Sequence, residues 1–264
     1  MTRPDTKHTM SCSTAPESTP TRRCDAVLSN SPVPACTATG TCRNAARPVF
    51  LADESRIKVI ETGLGTGDGF RRGMAKFGFG DFHGRRIVLF GCGKVGRGIA
   101  LHVLSGGAEL TVVDRETVPV PAGSRLILLD DRAGVEAALD GAWCVVTATG
   151  IRHALAGKFD AAKLAASETI LANMGVEDEF GPEIPEERVL NRKQPLNFVL
   201  EEPTLLKYID PTMALDNFGA LQLLTCDLPA GLNLPTPEQE EEILRTVREA
   251  GEITAELDGL EAMR

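Results

Sequence analysis

No apolar stretch in this chain approaches the roughly 20 residues that a bilayer-spanning helix requires, which excludes a helical membrane protein. The amino terminus lacks the hydrophobic core of a signal peptide, so the expected location is cytoplasmic. Positive charge is in short supply. With 28 Lys and Arg against 37 Asp and Glu, the net charge is -9, and generic attraction to phosphate backbones is absent, so no nucleic acid partner is expected. Tight cysteine pairs are missing too. The seven cysteines are an odd number in a chain too long to depend on staples, so reduced thiols are expected rather than a disulfide framework. Four of them, Cys12, Cys24, Cys36 and Cys42, share one stretch, yet none forms the closely spaced pair of a structural zinc site; incidental thiols are the reading, and no metal is expected. What the chain does have is enough apolar residue, 42% of its 264, to bury a substantial core as one large domain or two small ones.

Composition breaks near Ala46. Residues 1–45 are rich in Thr, Ser and Pro, show no apolar periodicity and bury too little to offset their ordering entropy, so they read as a mobile polar tail. From Pro48 onward, short aliphatic runs alternate with Gly- and Ala-containing helical stretches, the pattern of βα units on a parallel sheet. The expected class is α/β, a doubly wound, Rossmann-like domain over residues 46–230. Its strands are expected at Arg86 to Phe90, Leu110 to Val113, Arg125 to Leu128, Cys144 to Thr147, Thr169 to Ala172 and Leu196 to Leu200. Residues 231–264 are expected to carry an amphipathic helix. Thr236-Pro237-Glu238-Gln239 combines an N-cap hydroxyl, a proline at the first helical position and a Gln that completes a capping box. Ile243, Val247, Ala250, Thr254 and Leu257 then recur at helical spacing, a stripe read as docking on the body rather than as a dimer arm.

The chemistry is concentrated after the first long strand. Gly91-Cys92-Gly93-Lys94-Val95-Gly96 follows Ile87-Val88-Leu89-Phe90 and opens a helix, the setting in which a G-x-G-x-x-G turn becomes specific. Gly91 permits the tight turn, Gly93 lets main chain approach a pyrophosphate, and Gly96 allows close helix–strand packing. The diphosphate would meet free N–H groups, including those of Lys94 and Val95, and the positive end of a helix dipole. Asp114, after the strand Leu110 to Val113, stands where a carboxylate accepts hydrogen bonds from adenosine ribose hydroxyls. It favours NAD over NADP, because a 2′-phosphate would face its charge; Arg115 weakens that preference without reversing it. Cys92 reads as a small residue under the pyrophosphate, not a nucleophile, since no base lies beside it in sequence.

The residues around this turn resemble the NAD domain of S-adenosylhomocysteine hydrolases. The stretches that carry the likeness are Gly63 to Met74 (GLGTGDGFRRGM) and Gly84 to Ala100. Three later landmarks follow in the family's order: Val146-Thr147-Ala148-Thr149-Gly150, Asn173-Met174-Gly175, and Asp210-Pro211-Thr212 with Asn217. The resemblance covers about Pro48 to Leu224. It implies that Thr147, Thr149 and Asn173 line the nicotinamide half of an NAD cleft, while Gly91 to Gly96 and Asp114 hold the adenosine half. For the two threonines this agrees with their place at the carboxyl end of a strand, where open parallel sheets collect ligands. Asp53 to Lys58 is similar to the family's N-D-S-V-T-K, which sets Lys58 at the catalytic lysine and, across a one-residue deletion, Glu61 and Thr62 on the family's Asp-Asn pair. Two departures stand out. Val176 and Asp210 replace family histidines, and only the polar tail stands where the substrate domain would be.

The resemblance therefore implies an NAD-binding protein that carries out redox of an alcohol or ketone on a small polar substrate. Lys58 and Glu61 are the first proton-transfer candidates, and Asp210 and Asn217 the second. A lysine near a nicotinamide can stabilise a developing alkoxide and relay its proton. His153 is the best remaining imidazole, at the cleft rim. Glu201, Glu202, Lys207, Tyr208 and Asp210 either shape a substrate pocket or form a solvated charged loop. Two other readings stay open: a non-catalytic NAD-binding or redox-sensing protein, and a hydrolase-like subunit that borrows its substrate domain from a partner. Homo-oligomerisation is expected by resemblance.

Overall fold

The computed structural model describes residues 27–29 and 45–263. Cys12, Cys24, Cys36 and Cys42 and most of the expected tail lie outside the described residues. Along the chain the elements are β1 (Val27–Ser29) and β2 (Pro48–Leu51), then a π-helical run Ile60–Gly65 that continues into α1 (Thr66–Lys76). Next come β3 (Arg86–Phe90), α2 (Lys94–Ser105), β4 (Glu109–Asp114) and β5 (Arg125–Leu128). They are followed by α3 (Arg132–Leu139), β6 (Cys144–Thr147), α4 (Ala161–Ala166), β7 (Ile170–Asn173) and β8 (Val189–Leu190). The chain closes with α5 (Leu206–Thr225), β9 (Gly231–Asn233), α6 (Pro237–Ala250) and α7 (Thr254–Glu261).

Six strands form one parallel sheet in the order β5-β4-β3-β6-β7-β8, which is the order of a dinucleotide-binding sheet, with the reversal of winding between β3 and β6. The residues of β3 show why helices must cover both faces. Ile87 and Leu89 join a core with Phe70, Met74, Ile99 and Val103, while Val88 and Phe90 join another with Val135, Leu155, Phe159 and Leu164. Because successive side chains point to opposite faces, an unbroken apolar strand buries both. A third core under the carboxyl-terminal helices gathers Phe50, Ile57, Leu64, Tyr208, Leu215, Ile243 and Leu257.

The structure corrects the strand assignment at one place. Leu196–Val199 is a 3-10 turn, not a strand; Pro195 ahead of it has no N–H to give a ladder, and Leu196 buries itself against the Gly73 backbone instead. The sixth strand is the two-residue β8, which pairs with β7 through Val189 and Leu190. A second, three-stranded parallel sheet, β1-β2-β9, was not expected. In it Val27–Ser29, inside the stretch read as a tail, pairs with Val49 to Leu51.

The carboxyl-terminal helix begins where its cap predicts. The Thr236 hydroxyl accepts from Gln239 N, and Gln239 Oε1 accepts from Thr236 N, closing the capping box. The helix is not continuous, however. Gly251 takes a left-handed conformation (φ 76°), which ends α6 and divides the apolar stripe between α6 and α7. No helix among the described residues is long and apolar enough to cross a membrane.

Candidate functional site

The site is built at the carboxyl ends of β3, β4 and β6. β3 ends in Gly91, whose φ of 90° is a conformation that costs glycine little and other residues much. Gly91 N donates to Val113 O (2.8 Å), which ties the turn to the end of β4. A Cβ on Gly91 would lie 2.5 Å from Ala148 O, so the turn also sits directly on the strand end of β6. Gly96, one turn into α2, has no room either, because a Cβ there would strike Gly91 O. Gly93 differs from both. A Cβ on it would meet nothing within 4 Å, so the middle glycine faces open space at the start of the helix. The fourth glycine of the run, Gly98, serves a different contact: its Cβ would collide with Gly63 O in the π-helical segment.

Asp114 ends β4 and reaches back to the turn. Its Oδ2 accepts from Cys92 N (2.7 Å), and its Oδ1 accepts from Arg115 N (2.7 Å), leaving each oxygen a further acceptor site. Both Asp114 and the turn line a cavity of about 620 Å³, a volume typical of cofactor sites. Its floor is Phe90 to Gly93, one wall is Val113, Asp114 and Leu129, and the opposite wall is Ala148, Thr149 and Leu155. Three cations, Arg97, Arg115 and Lys158, also line it. Arg97 Nε is buried with no hydrogen-bond partner among the described residues. The first turn of α2 holds no acidic side chain, and its N-cap, Gly93, supplies no side-chain acceptor, so helix N–H groups that lack intrahelical partners remain for a guest. An orphaned guanidinium nitrogen, an uncapped helix start and a glycine open to the cavity together fit the diphosphate of a nicotinamide dinucleotide. Burial pushes the Cys92 thiol up to about 11, so it stays a neutral group of the cavity floor and not a nucleophile.

The other expected residues are divided among several places. Thr149 lines the cavity. Thr147 and Asn173 do not: both are fully buried, and the Thr147 hydroxyl donates to Asn173 Oδ1 (2.8 Å). Asn173 Nδ2 is taken up by the carbonyls of Gly175, Glu177 and Lys193. The pair therefore fastens the loops after β6 and β7 behind the cavity wall. Lys58 is 5% exposed, and its Nζ lies 2.9 Å from each carboxylate oxygen of Glu61. The segment that holds this pair is fastened to the start of α2, where Lys94 Nζ donates to Asp53 O (2.8 Å).

Asp210 and Asn217 are not brought to the cavity. Both are exposed on α5, and Asp210 lines a separate groove of about 350 Å³ against α6 with Lys207, Phe218, Ile243 and Val247. The reason is that α5 continues through Pro211, so Asp210 is a helix-face residue and not part of a loop over a cofactor. Tyr208, two residues earlier, is fully buried in the third core. His153, in a left-handed conformation (φ 55°), holds its Nε2 3.6 Å from Asp178 Oδ2. Val176, where the resemblance would have a histidine, is 73% exposed.

Sequence reasoning missed Arg97, Lys158 and Glu179. Arg97 follows the third glycine by one residue and was legible in principle as the next position on the same helix. Lys158 and Glu179 carry no local signal, because each reaches the site through folding.

A family model for putative NAD(P)-binding domains matches residues 79–179. Among curated proteins, the adenosylhomocysteinase of Thermoplasma acidophilum is 27% identical over 155 residues, covering 58% of this chain and 36% of that protein, so the chain spans little more than a third of that relative. Among solved structures, a dipicolinate synthase chain from Bacillus halodurans aligns at 14% identity over 69% of this chain and 67% of its own, with a TM-score of 0.42. Shikimate 5-dehydrogenase from Listeria monocytogenes, in complex with shikimate and NAD, aligns at 16% identity over 69% and 62%, with a TM-score of 0.38. The strand–turn–helix around Gly91, the strand order and the matched model agree: this chain carries an NAD(P)-binding domain similar to that of the adenosylhomocysteinases.

Proposed function

We propose that this protein binds NAD in preference to NADP and uses it for reversible redox of an alcohol or ketone on a small polar substrate. The observation that carries the reading is the open Gly93 on the floor of a 620 Å³ cavity with the Asp114 carboxylate in its wall. Gly91 and Gly93 let a diphosphate reach main-chain N–H groups at the start of α2, where the helix dipole favours negative charge. Arg97 supplies a guanidinium to the same region. Asp114 accepts from the hydroxyls of the adenosine ribose and opposes a 2′-phosphate at that position. The bound nicotinamide supplies the hydride chemistry, and the protein orients the substrate over it. Lys58, whose Nζ lies 2.9 Å from each carboxylate oxygen of Glu61, would pass a proton to Glu61 and take up that of the reacting hydroxyl in its place.

A second reading, dinucleotide binding without catalysis, is favoured by the place of Asp210 and Asn217 on α5, away from the cavity. One experiment separates the two. The purified chain is titrated with NADH and NADPH, then assayed by nicotinamide absorbance with a panel of small alcohols and ketones. Tighter binding of NADH by about tenfold, some 1.4 kcal/mol, with turnover on at least one substrate that falls in Lys58→Met, supports the oxidoreductase. Binding without turnover supports the second reading. Dissociation constants weaker than about 1 mM for both cofactors refute the cofactor premise.

A further inference from the structure

Glu179 stands in a polar loop after β7, where nothing in the sequence marks it, yet it is 0% exposed. Its carboxylate accepts from two consecutive main-chain donors, Thr149 N at 2.8 Å and Gly150 N at 2.7 Å. Its own carbonyl accepts from Leu155 N (3.0 Å). Thr149 and Leu155 both line the dinucleotide cavity, so this one residue grips the wall at two points from behind. The grip extends to the glycine turn, because a Cβ on Gly91 would lie 2.5 Å from Ala148 O and 2.9 Å from Thr149 Cα. Room for the carboxylate depends on Gly175, where any Cβ would collide with Glu179 Oε1. Two neighbouring main-chain N–H groups aimed at one carboxylate form an anion nest, filled here by the protein's own side chain.

We propose that Glu179 is a positioning residue for the dinucleotide cavity: it is the built-in anion that holds the Thr149–Gly150 turn against the Gly91 turn, so cofactor affinity depends on an anion being present at this place. The inference rests on the NAD(P)-binding reading above. Burial of so enclosed a carboxylate is costly and pushes its pKa above the ordinary value, and the two N–H donors, with the Thr149 and Thr147 hydroxyls, offset part of that cost. Without the anion those two N–H groups, half-buried at the Thr149–Gly150 turn, lose their common partner, and the turn is no longer fastened to the loop after β7.

The test uses the full chain with Glu179→Gln and Glu179→Ala, reading NADH affinity by fluorescence titration and folding by thermal unfolding. Glu179→Ala is expected to weaken NADH binding about tenfold or more. Glu179→Gln, which keeps one carbonyl acceptor, is expected to fall between it and the wild type. Sodium formate, an anion small enough for the vacated space, is expected to recover binding in Glu179→Ala, while sodium chloride at equal ionic strength does not. Wild-type affinity in a folded Glu179→Ala, or equal effects of formate and chloride, overturns the proposal. If Glu179→Ala does not fold, the Gln variant decides: weakened NADH binding in a folded protein upholds the proposal, and unchanged binding overturns it. A wild-type chain that binds neither NADH nor NADPH is a separate result, because it removes the cofactor reading itself and this inference with it.

Discussion

Replacing Gly93 by Ala separates binding from folding more cleanly than any other change in the glycine turn. A Cβ at Gly93 touches nothing within 4 Å, and its backbone (φ −74°, ψ −155°) is extended, a conformation open to alanine. The expected cost to stability is therefore that of a poorer N-cap, about 1 kcal/mol or less, or a fall in midpoint of about 2–4 °C for a domain of this size. The methyl group would nevertheless stand where a diphosphate must approach the main chain. Loss of one charge-assisted hydrogen bond of about 1.5–3 kcal/mol translates into a roughly 10- to 150-fold weaker dissociation constant. Gly96→Ala provides the contrast, since its Cβ collides with Gly91 O. Overpacking of that kind costs about 1–3 kcal/mol and would lower stability and binding together. The assay is NADH titration alongside thermal unfolding for both variants. Wild-type NADH affinity in Gly93→Ala would show that the diphosphate does not approach this turn, and the site assignment would fail.

Asp114→Ser is expected to narrow or invert the preference for NADH over NADPH by about tenfold or more, read as the ratio of the two dissociation constants; an unchanged ratio refutes the role given to this carboxylate. Asp68 is buried, and burial alone would raise its pKa, but the Arg72 and Arg71 guanidiniums outweigh it and hold the carboxyl below its ordinary value. The stability from this group is thus fully present above the unfolded carboxylate pKa and is lost as pH falls through the lower, folded one. Asp68→Asn should cost about 2 kcal/mol at neutral pH, less than a fully buried pair because Arg71 is half exposed, and the loss relative to wild type should shrink in acid; a loss that is constant with pH in denaturant melts counts against the ion pair. Thr236→Ala removes the cap of α6 and should cost about 1 kcal/mol with NADH binding unchanged, while a change in NADH affinity would tie the carboxyl-terminal helices to the cavity.

How far the site could be read from sequence depended on how its parts are spaced. Phe90, Gly91, Gly93, Gly96 and Asp114 belong to one contiguous β3–α2–β4 unit, in which hydrophobic run, turn and helix follow one another and every demand on a residue is local. The opposite wall has no such continuity. Thr149 owes its position to Glu179, 30 residues away, and Thr147 is turned from the cavity by Asn173, 26 residues away; each pairing exists only once β6 and β7 lie side by side. Asp210 and Asn217 stand away from the cavity for a different reason. They lie on α5, where Tyr208, Leu215 and Gly219 are buried at helical spacing, and this packing carries the helix through Pro211. Likewise the apolar run at Leu196 to Leu200 satisfies a strand pattern as well as it does the 3-10 turn it forms, and only contact with the Gly73 backbone decides between them. The Gly91 and Asp114 side of the cavity was therefore legible because its physics is written within about 25 consecutive residues, whereas the other side is assembled from side chain to backbone bonds between segments that meet only in the folded sheet.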